Sequence, residues 1–497
     1  MHNPHYCDLF SVLLKRLMIT HLFLVSSSSV LLAQDSTLVY LEDGTLQYVP
    51  FAVKGQSDKV NLIPDFSHAG YKGGGVAIPT DVPVQAVVHP AGGDDTQRIQ
   101  NAINVVANLP LDEEGFRGVV LLKRGHYTLS RSLVIEASGV VLRGEGQGKD
   151  QTVLHANLRA KHSVIELRGS GGLSIDGGTY QNITTPYVPI GALNLEISDA
   201  TGFNVGDKVV VTRTPNQTWI DELGMDEATL CGSDTGCNGW TPESYEIDHE
   251  RVIMAINGNM ITVDIPMVDV IEDYYGGGKV AKANEENRIT QSAVENLRVE
   301  SFYLGNEDED HAWIAIEISN AKDCWVSRVT GQYLGYATVA ISGANFNTVE
   351  DCAYINPVSQ ISGGRRYSFV VNSGLGNLFQ RNYSRSGRHD FVTGSRVTGP
   401  NAFIDGLAED GNSDIGPHHR WATGNLFDNI VASQIRVRNR RNSGTGHGWA
   451  GAQTMFWNVS TYDEDITVES PLGAINWGIG CRGPEQNGDG FWAFWGQ

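Results

Sequence analysis

Residues 360–450 hold an unusual set of side chains. They carry eleven arginines (365, 366, 381, 385, 388, 396, 420, 436, 438, 440 and 441), no lysine, six carboxylates, and four histidines, His389, His418, His419 and His447. The segment stands at +5 in a chain whose formal net charge is −21, so the remainder sums to −26. A guanidinium is planar and two-pronged, which suits carboxylate or sulfate better than a point-charge ammonium does. Imidazole exchanges protons near neutral pH. A cationic wall on an acidic body draws a polyanion into one groove. This combination matches β-elimination from a uronic acid. The C6 carboxylate must be neutralised so that the C5 proton becomes acidic, a base must take that proton, and an acid must help O4 leave.

Roles can be assigned on that chemistry. His418 or His419 is the candidate base, within Gly416-Pro417-His418-His419-Arg420-Trp421. Arg420 and Arg388 are the candidate carboxylate neutralisers, His389 or His447 the candidate acid, and Tyr383 a reserve acid. Arg365, Arg366, Arg385, Arg436 and Arg438 are candidate substrate contacts. Trp421 and Trp449 are candidate platforms for sugar faces, whereas Trp457 suits the core better. Consecutive residues of an extended segment point to opposite faces, so only one of His418 and His419 need face the groove. No histidine, cysteine and carboxylate spacing reads as a metal site, and no cofactor is required.

Residues so scattered need a scaffold that brings them together, and the same region contains a repeat. Asp323-Cys324-Trp325, Asn347-Thr348-Val349, Asn377-Leu378-Phe379, Asn401-Ala402-Phe403, Asn425-Leu426-Phe427 and Gln453-Thr454-Met455 follow one another at steps of 24, 30, 24, 24 and 28 residues. A period of 20–30 residues built from short β-prone segments is the mark of a solenoid, here a parallel β-helix. Asn suits a corner that recurs in every turn, because it tolerates the left-handed conformation and can hydrogen-bond along the row. The residue two positions on points into the coil. Arg388 and Arg436 each lie eleven residues after an Asn, which predicts a shared place two rungs apart.

The rest of the chain supplies the frame. Residues 1–33 read as an export leader, with Lys15 and Arg16 before an apolar run that ends at Leu31-Leu32-Ala33, so the mature protein is expected to be secreted or periplasmic. Residues 34–90 form a β-rich lead-in. Residues 91–184 open with a short amphipathic helix, capped at Asp95 or Thr96 and carrying Ile99, Ala102, Ile103 and Val106, followed by strands punctuated by glycine. Such a helix can cover the open end of a strand coil. Residues 185–285 break the rhythm and read as an inserted antiparallel β subdomain. Residues 286–497 form the main coil with its groove, ending in an aromatic segment, Phe491 to Trp495, expected to pack back on the coil or close an end. The fold class is all-β: a right-handed parallel β-helix with an N-terminal capping helix and an inserted β subdomain.

Cys7 falls in the leader, Cys231 and Cys237 bracket a short loop and can pair outside the cytosol, and Cys324 and Cys352 occupy equivalent repeat positions suited to core stacking. An acidic chain has no non-specific affinity for nucleic acid. No stretch beyond the leader reaches the length of a membrane span. The expected partner is an anionic polysaccharide, with neither nucleic acid nor membrane; the oligomeric state is left open.

The Asp94-Asp95-Thr96 capping helix, the glycine-punctuated strands and the Asn repeat together resemble the pectate lyase superfamily of right-handed β-helix proteins, over most of residues 85–480. That superfamily holds lyases, hydrolases, epimerases and phage tailspikes, so the resemblance implies a fold more firmly than a reaction. A lyase is the leading implication, and in some lyases of the group Arg or Lys is itself the base. Some pectate lyases use Ca2+; here Glu409, Asp410 and Asp414 are the carboxylates a calcium would need. A hydrolase is the main alternative, since Gly446-His447-Gly448 is similar to the Gly-His-Gly of polygalacturonases. Their Asn-Thr-Asp motif is missing before it, and the Asp-Asp pair at 94–95 belongs to the cap. Asp390, Asp405 and Asp410 would then have to serve as the paired carboxyls that hydrolysis needs. The second alternative is a non-catalytic glycan-binding β-helix. Among polyanions, pectin-, alginate-, ulvan-, fucoidan- and glycosaminoglycan-like chains all suit an arginine-lined groove.

Overall fold

The computed structural model describes residues 39–43, 45–52 and 58–493. The leader with Cys7 and the last four residues, including Phe494 and Trp495, lie outside the described residues. From Val84 onward short strands pair in parallel, each turn of the chain adding a rung to ladders on the sides of one coil. The product is a parallel β-helix. Successive parallel connections in a sheet run right-handed, as a right-twisted strand dictates. Helix α1 (Thr96–Ala107) buries Ile99, Ile103 and Val106 over the first rungs. At the other end Phe491–Ala493 pairs with Trp477–Ile479 as the final described rung. Among the described residues no helix is long and apolar enough to cross a membrane.

Two internal stacks run along the coil. Phe379, Phe403 and Phe427 lie ring over ring at centroid separations of 4.8 and 5.0 Å, each two residues past its Asn. Asn347, Asn377, Asn401 and Asn425 form a buried ladder: amide Nδ2 to the next Oδ1 spans 2.8, 3.2 and 3.3 Å. These asparagines do not adopt the left-handed conformation. The left-handed corner lies four residues later, at Asp351, Arg381, Asp405 and Asn429. Asn therefore satisfies buried backbone groups at the start of the strand, and the corner itself accepts Asp or Arg. The outer two repeat segments are out of frame by one: Cys324 and Thr454 occupy the Asn row. Cys324 and Cys352 are buried and free.

A seven-stranded parallel ladder forms another side of the coil: β1 (Leu133–Ile135), β2 (His162–Arg168), β3 (Ala312–Ser319), β4 (Ala337–Ser342), β5 (Phe369–Val371), β6 (Phe391–Thr393) and β7 (Gly416–Pro417). Between β2 and β3 the chain leaves to build an antiparallel subdomain within Ser174–Asn284, with its own core of Val209, Val211, Ile253, Ile261 and Val280. Its excursion between Gln217 and Tyr245 is closed by the Cys231–Cys237 disulfide. This excursion presses Trp219 and Trp240 on Trp421 of the coil, at centroid distances of 4.8 and 6.5 Å. Burying one such indole contributes about 4–6 kcal/mol of transfer free energy, enough to fix the subdomain against the coil.

Candidate active site

The C-terminal end of the seven-stranded ladder gathers the histidines. Tyr367 and His389 each precede their strand by two residues, and the register Phe369↔Phe391 places one above the other. His418 follows β7 directly and is held by its backbone N–H on the Thr393 carbonyl at 3.0 Å. His447 arrives on a hairpin closed by the antiparallel bridge Asn439↔Trp449. Two glycines set its place. At Gly444 (φ +62°) a Cβ would come within 2.2 Å of the His447 ring, and at Gly446 (φ +84°) within 2.4 Å of the Asn238 carbonyl, so the hairpin seats against the disulfide loop. The backbone turns between these pieces at Arg420 and Trp421, two consecutive residues with φ of 57°.

The rings form one cluster. Centroids are separated by 4.5 Å for His389–His418, 5.1 Å for His418–His419, 5.1 Å for His418–His447 and 4.9 Å for His419–His447. Tyr367 stands 5.0 Å from His389 and 5.3 Å from His418. His389 and His418 are buried, while His419 and His447 are half-buried at the rim. His389 donates from Nδ1 to Asp414, 2.7 Å from its carbonyl and 3.1 Å from its carboxylate. Arg440 Nη1 lies 3.1 Å from His418 Nδ1, and Tyr367 Oη lies 3.0 Å from His418 Nε2. A guanidinium only donates, so Nδ1 of His418 carries the lone pair and Nε2 carries the hydrogen. The His418 ring is neutral and donates to the Tyr367 hydroxyl.

Burial and charge keep His419 and His447 neutral too. Burial, then His447, Arg420, Arg440 and Arg396, pushes His419 down to about 3. Burial, then Arg440, Arg420, His389 and Arg388, pushes His447 down to about 4. Burial, then His389, Arg440, His419 and His447, holds His418 lower still. Burial works against the Asp414 carboxylate, yet the His389 hydrogen bond and the charges of His389, Arg440 and Arg438 hold it well below the usual range. Two guanidiniums, Arg438 and Arg440, thus face one carboxylate, while Arg388 and Arg420 stand beside His447. Arg438 and Arg440 reach Asp414 at 3.8 and 3.7 Å. Arg388 and Arg420 donate to the carbonyls of Gly363 and Thr445 and, among the described residues, have no carboxylate within 4.0 Å.

His389, His418, His419, His447, Arg388, Arg420 and Arg438 of the sequence-derived set therefore meet in one cluster. The others do not. Tyr383 and Arg385 lie on a different ladder of the coil, where Tyr383 donates to Glu409 at 2.6 Å and Arg385 to Asn356 at 2.8 Å. Arg365 is paired with Glu309 and Arg436 with Asp465. Arg366 is buried, with its guanidinium on Ser359. Arg388 and Arg436 do not share a rung position: Val392 and Gly416 lie fifteen residues after their Asn, but the next turn is four shorter, so Arg436 stacks on Gly416. Trp421 is buried, bonded to Asp269 at 3.2 Å, and Trp449 is half-buried with its indole N–H toward Leu223, so both bind the subdomain rather than open solvent. Asp414 is enclosed by His389 and two arginines and Glu409 faces Tyr383, so the carboxylates considered for calcium do not form one ligand set.

Tyr367 and Arg440 are the members sequence reasoning missed. A signal for Tyr367 was present: Tyr367-Ser368-Phe369-Val370 and His389-Asp390-Phe391-Val392 are one repeat in successive rungs.

No family model matches this sequence, and no curated protein matches it either. Among solved structures the chain is similar to the tailspike gp61 of Pseudomonas phage phi297, with 14% identity, a TM-score of 0.45, and coverage of 80% of this chain and 68% of that one. It is similar to the tailspike gp49 of Pseudomonas phage LKA1, with 12% identity, a TM-score of 0.43, and coverage of 79% of this chain and 57% of that one. A polygalacturonase from Erwinia carotovora ssp. carotovora matches at 9% identity and a TM-score of 0.41, over 84% of this chain and 96% of that one. The chain spans little more than half the length of the LKA1 tailspike.

Proposed function

We propose that this protein degrades an anionic, uronate-containing polysaccharide, and that it does so by β-elimination. One observation carries the reading: four imidazoles and four guanidiniums gather in one cluster whose carboxylate, Asp414, is already committed to His389, Arg438 and Arg440. Arg388 and Arg420, free of carboxylate partners among the described residues, receive the C6 carboxylate and stabilise the charge that develops as C5 loses its proton. His419 or His447 is the base. Both rings are half-buried, both are neutral at pH 7, and Nδ1 of each is buried without a hydrogen-bond partner. His418 cannot act as base, because both its nitrogens are engaged.

Hydrolysis is less well served. It needs two carboxyls facing one bond. Asp390 is buried under the hydroxyls of Ser368 and Ser384, Asp414 is saturated, and Asp405 and Asp410 sit on exposed corners outside the cluster. Export is part of the same reading, since the leader-like N-terminus and the Cys231–Cys237 disulfide both suit an oxidising compartment. The test is a panel of acidic polysaccharides, sulfated and unsulfated, followed in the ultraviolet. An unsaturated uronate product from one of them is the expected result; reducing ends without absorbance would instead mean hydrolysis, and binding without turnover a glycan-binding coil.

A further inference from the structure

We propose that Tyr367 is the proton donor to the leaving oxygen, an inference that rests on the elimination reading above and assigns its missing acid. Hydrogen-bond direction assigns the role. Arg440 fixes His418 with Nδ1 as acceptor, so Nε2–H must point at Tyr367 Oη, 3.0 Å away. The phenol oxygen is an acceptor in that bond. Its own hydrogen is not spent on His418 and is free to face the recess. The ring cannot swing away, because His389 meets it edge-on at 5.0 Å and Asp414 anchors His389. Burial raises the phenol, with Arg388 and Arg440 pulling the other way, so the hydroxyl remains an acid at neutral pH.

The step balances without any added group. The base nitrogen of His419 or His447 takes the C5 proton. The C5–H electron pair becomes the C4–C5 double bond, and the C4–O4 bond breaks with its pair on O4. O4 takes the Tyr367 proton, leaving a phenolate that accepts hydrogen bonding from His418 and faces the positive charge of Arg388 and Arg440. The imidazolium proton then returns to the phenolate through the ring cluster or solvent. His418 and Arg440 are positioning residues here, and Tyr367 is catalytic.

The test separates the two proton transfers. Tyr367→Phe keeps the ring and its packing, and melting temperature checks that the fold is intact. On the polyuronate that the parent chain cleaves, the variant is expected to lose about 10²–10⁴-fold in kcat with little change in KM. In deuterated water it should still exchange the C5 hydrogen of recovered substrate, because the base remains. His418→Gln should show a smaller loss with the same retained exchange. A Tyr367→Phe chain that cleaves within tenfold of the parent, or that loses exchange as completely as cleavage, overturns the assignment while leaving elimination standing. A parent chain that never yields an unsaturated product overturns elimination and this role with it.

Discussion

Two faces of the same coil carry arginine and tyrosine, and they do opposite things with them. On the ladder that includes Tyr383, the guanidinium of Arg381 and the phenol of Tyr383 both have carboxylate partners. Arg381 bridges Glu350 and Asp351, and Tyr383 donates to Glu409. At the end of the seven-stranded ladder the cations outnumber their partners, His418, His419 and His447 are held neutral, and Tyr367 accepts rather than donates. Arginine count along the sequence is the same signal in both places. What separates them is whether the neighbouring rungs supply carboxylates, and that depends on which residues the turn lengths bring into register.

Substitutions on both faces break this comparison in order of size. Replacing His419 and His447 together by Ala should lower kcat about 10²–10⁴-fold, measured as the initial rate of unsaturated product. Arg388→Ala and Arg420→Ala should each cost about 1.5–3 kcal/mol in kcat/KM, the value of a charge-assisted hydrogen bond. Arg381→Ala and Arg385→Ala, on the matched face, should leave kcat/KM within about twofold, because exposed pairs contribute little. Equal losses on the two faces would show that the segment acts only through its overall charge.

The scaffold answers to a different measurement. Asn401→Ala removes one rung of the buried amide ladder, taking partners from Asn377 and Asn425. It should lower stability by about 1–3 kcal/mol in denaturant titration and leave kcat unchanged.

The smallest effects lie in pH. With folded values of about 3 and about 4, His419 and His447 bind protons less readily than in the unfolded chain, where a histidine titrates near 6.5. Between pH 6.5 and 4 the unfolded state therefore holds more protons, and stability falls as pH falls through that window. The melting temperature should drop across it, by less in the His419→Ala, His447→Ala double variant. A bound polyanion neutralises the guanidiniums that hold these rings down, so binding at pH 5 should take up protons, and calorimetry in two buffers of different ionisation enthalpy reads that uptake.

Much of the fold was legible because it repeats. The Asn–x–apolar period marked the coil, and Ile99, Ile103 and Val106 marked the cap, since a periodic pattern and a helical face are local properties. Register was not local. One turn four residues shorter moved Arg436 off the place of Arg388, and the Asp465 that pairs with it lies a rung away. The histidine cluster was legible in composition, but its wiring was not. Arg440 selects the tautomer of His418 across 22 residues, and Trp421 is withdrawn by a subdomain inserted 150 residues earlier. Tyr367 carries no motif of its own and becomes visible only when its segment is aligned with that of His389.

Under the proposed elimination, the histidine–arginine cluster cleaves a polyanion without consuming water. Running the parent chain and its His419→Ala, His447→Ala variant on a polyuronate in oxygen-18 water tests it directly. The account predicts product ends with no label from the parent and almost no product from the variant. Label at the new chain end, or a variant as fast as the parent, would contradict it.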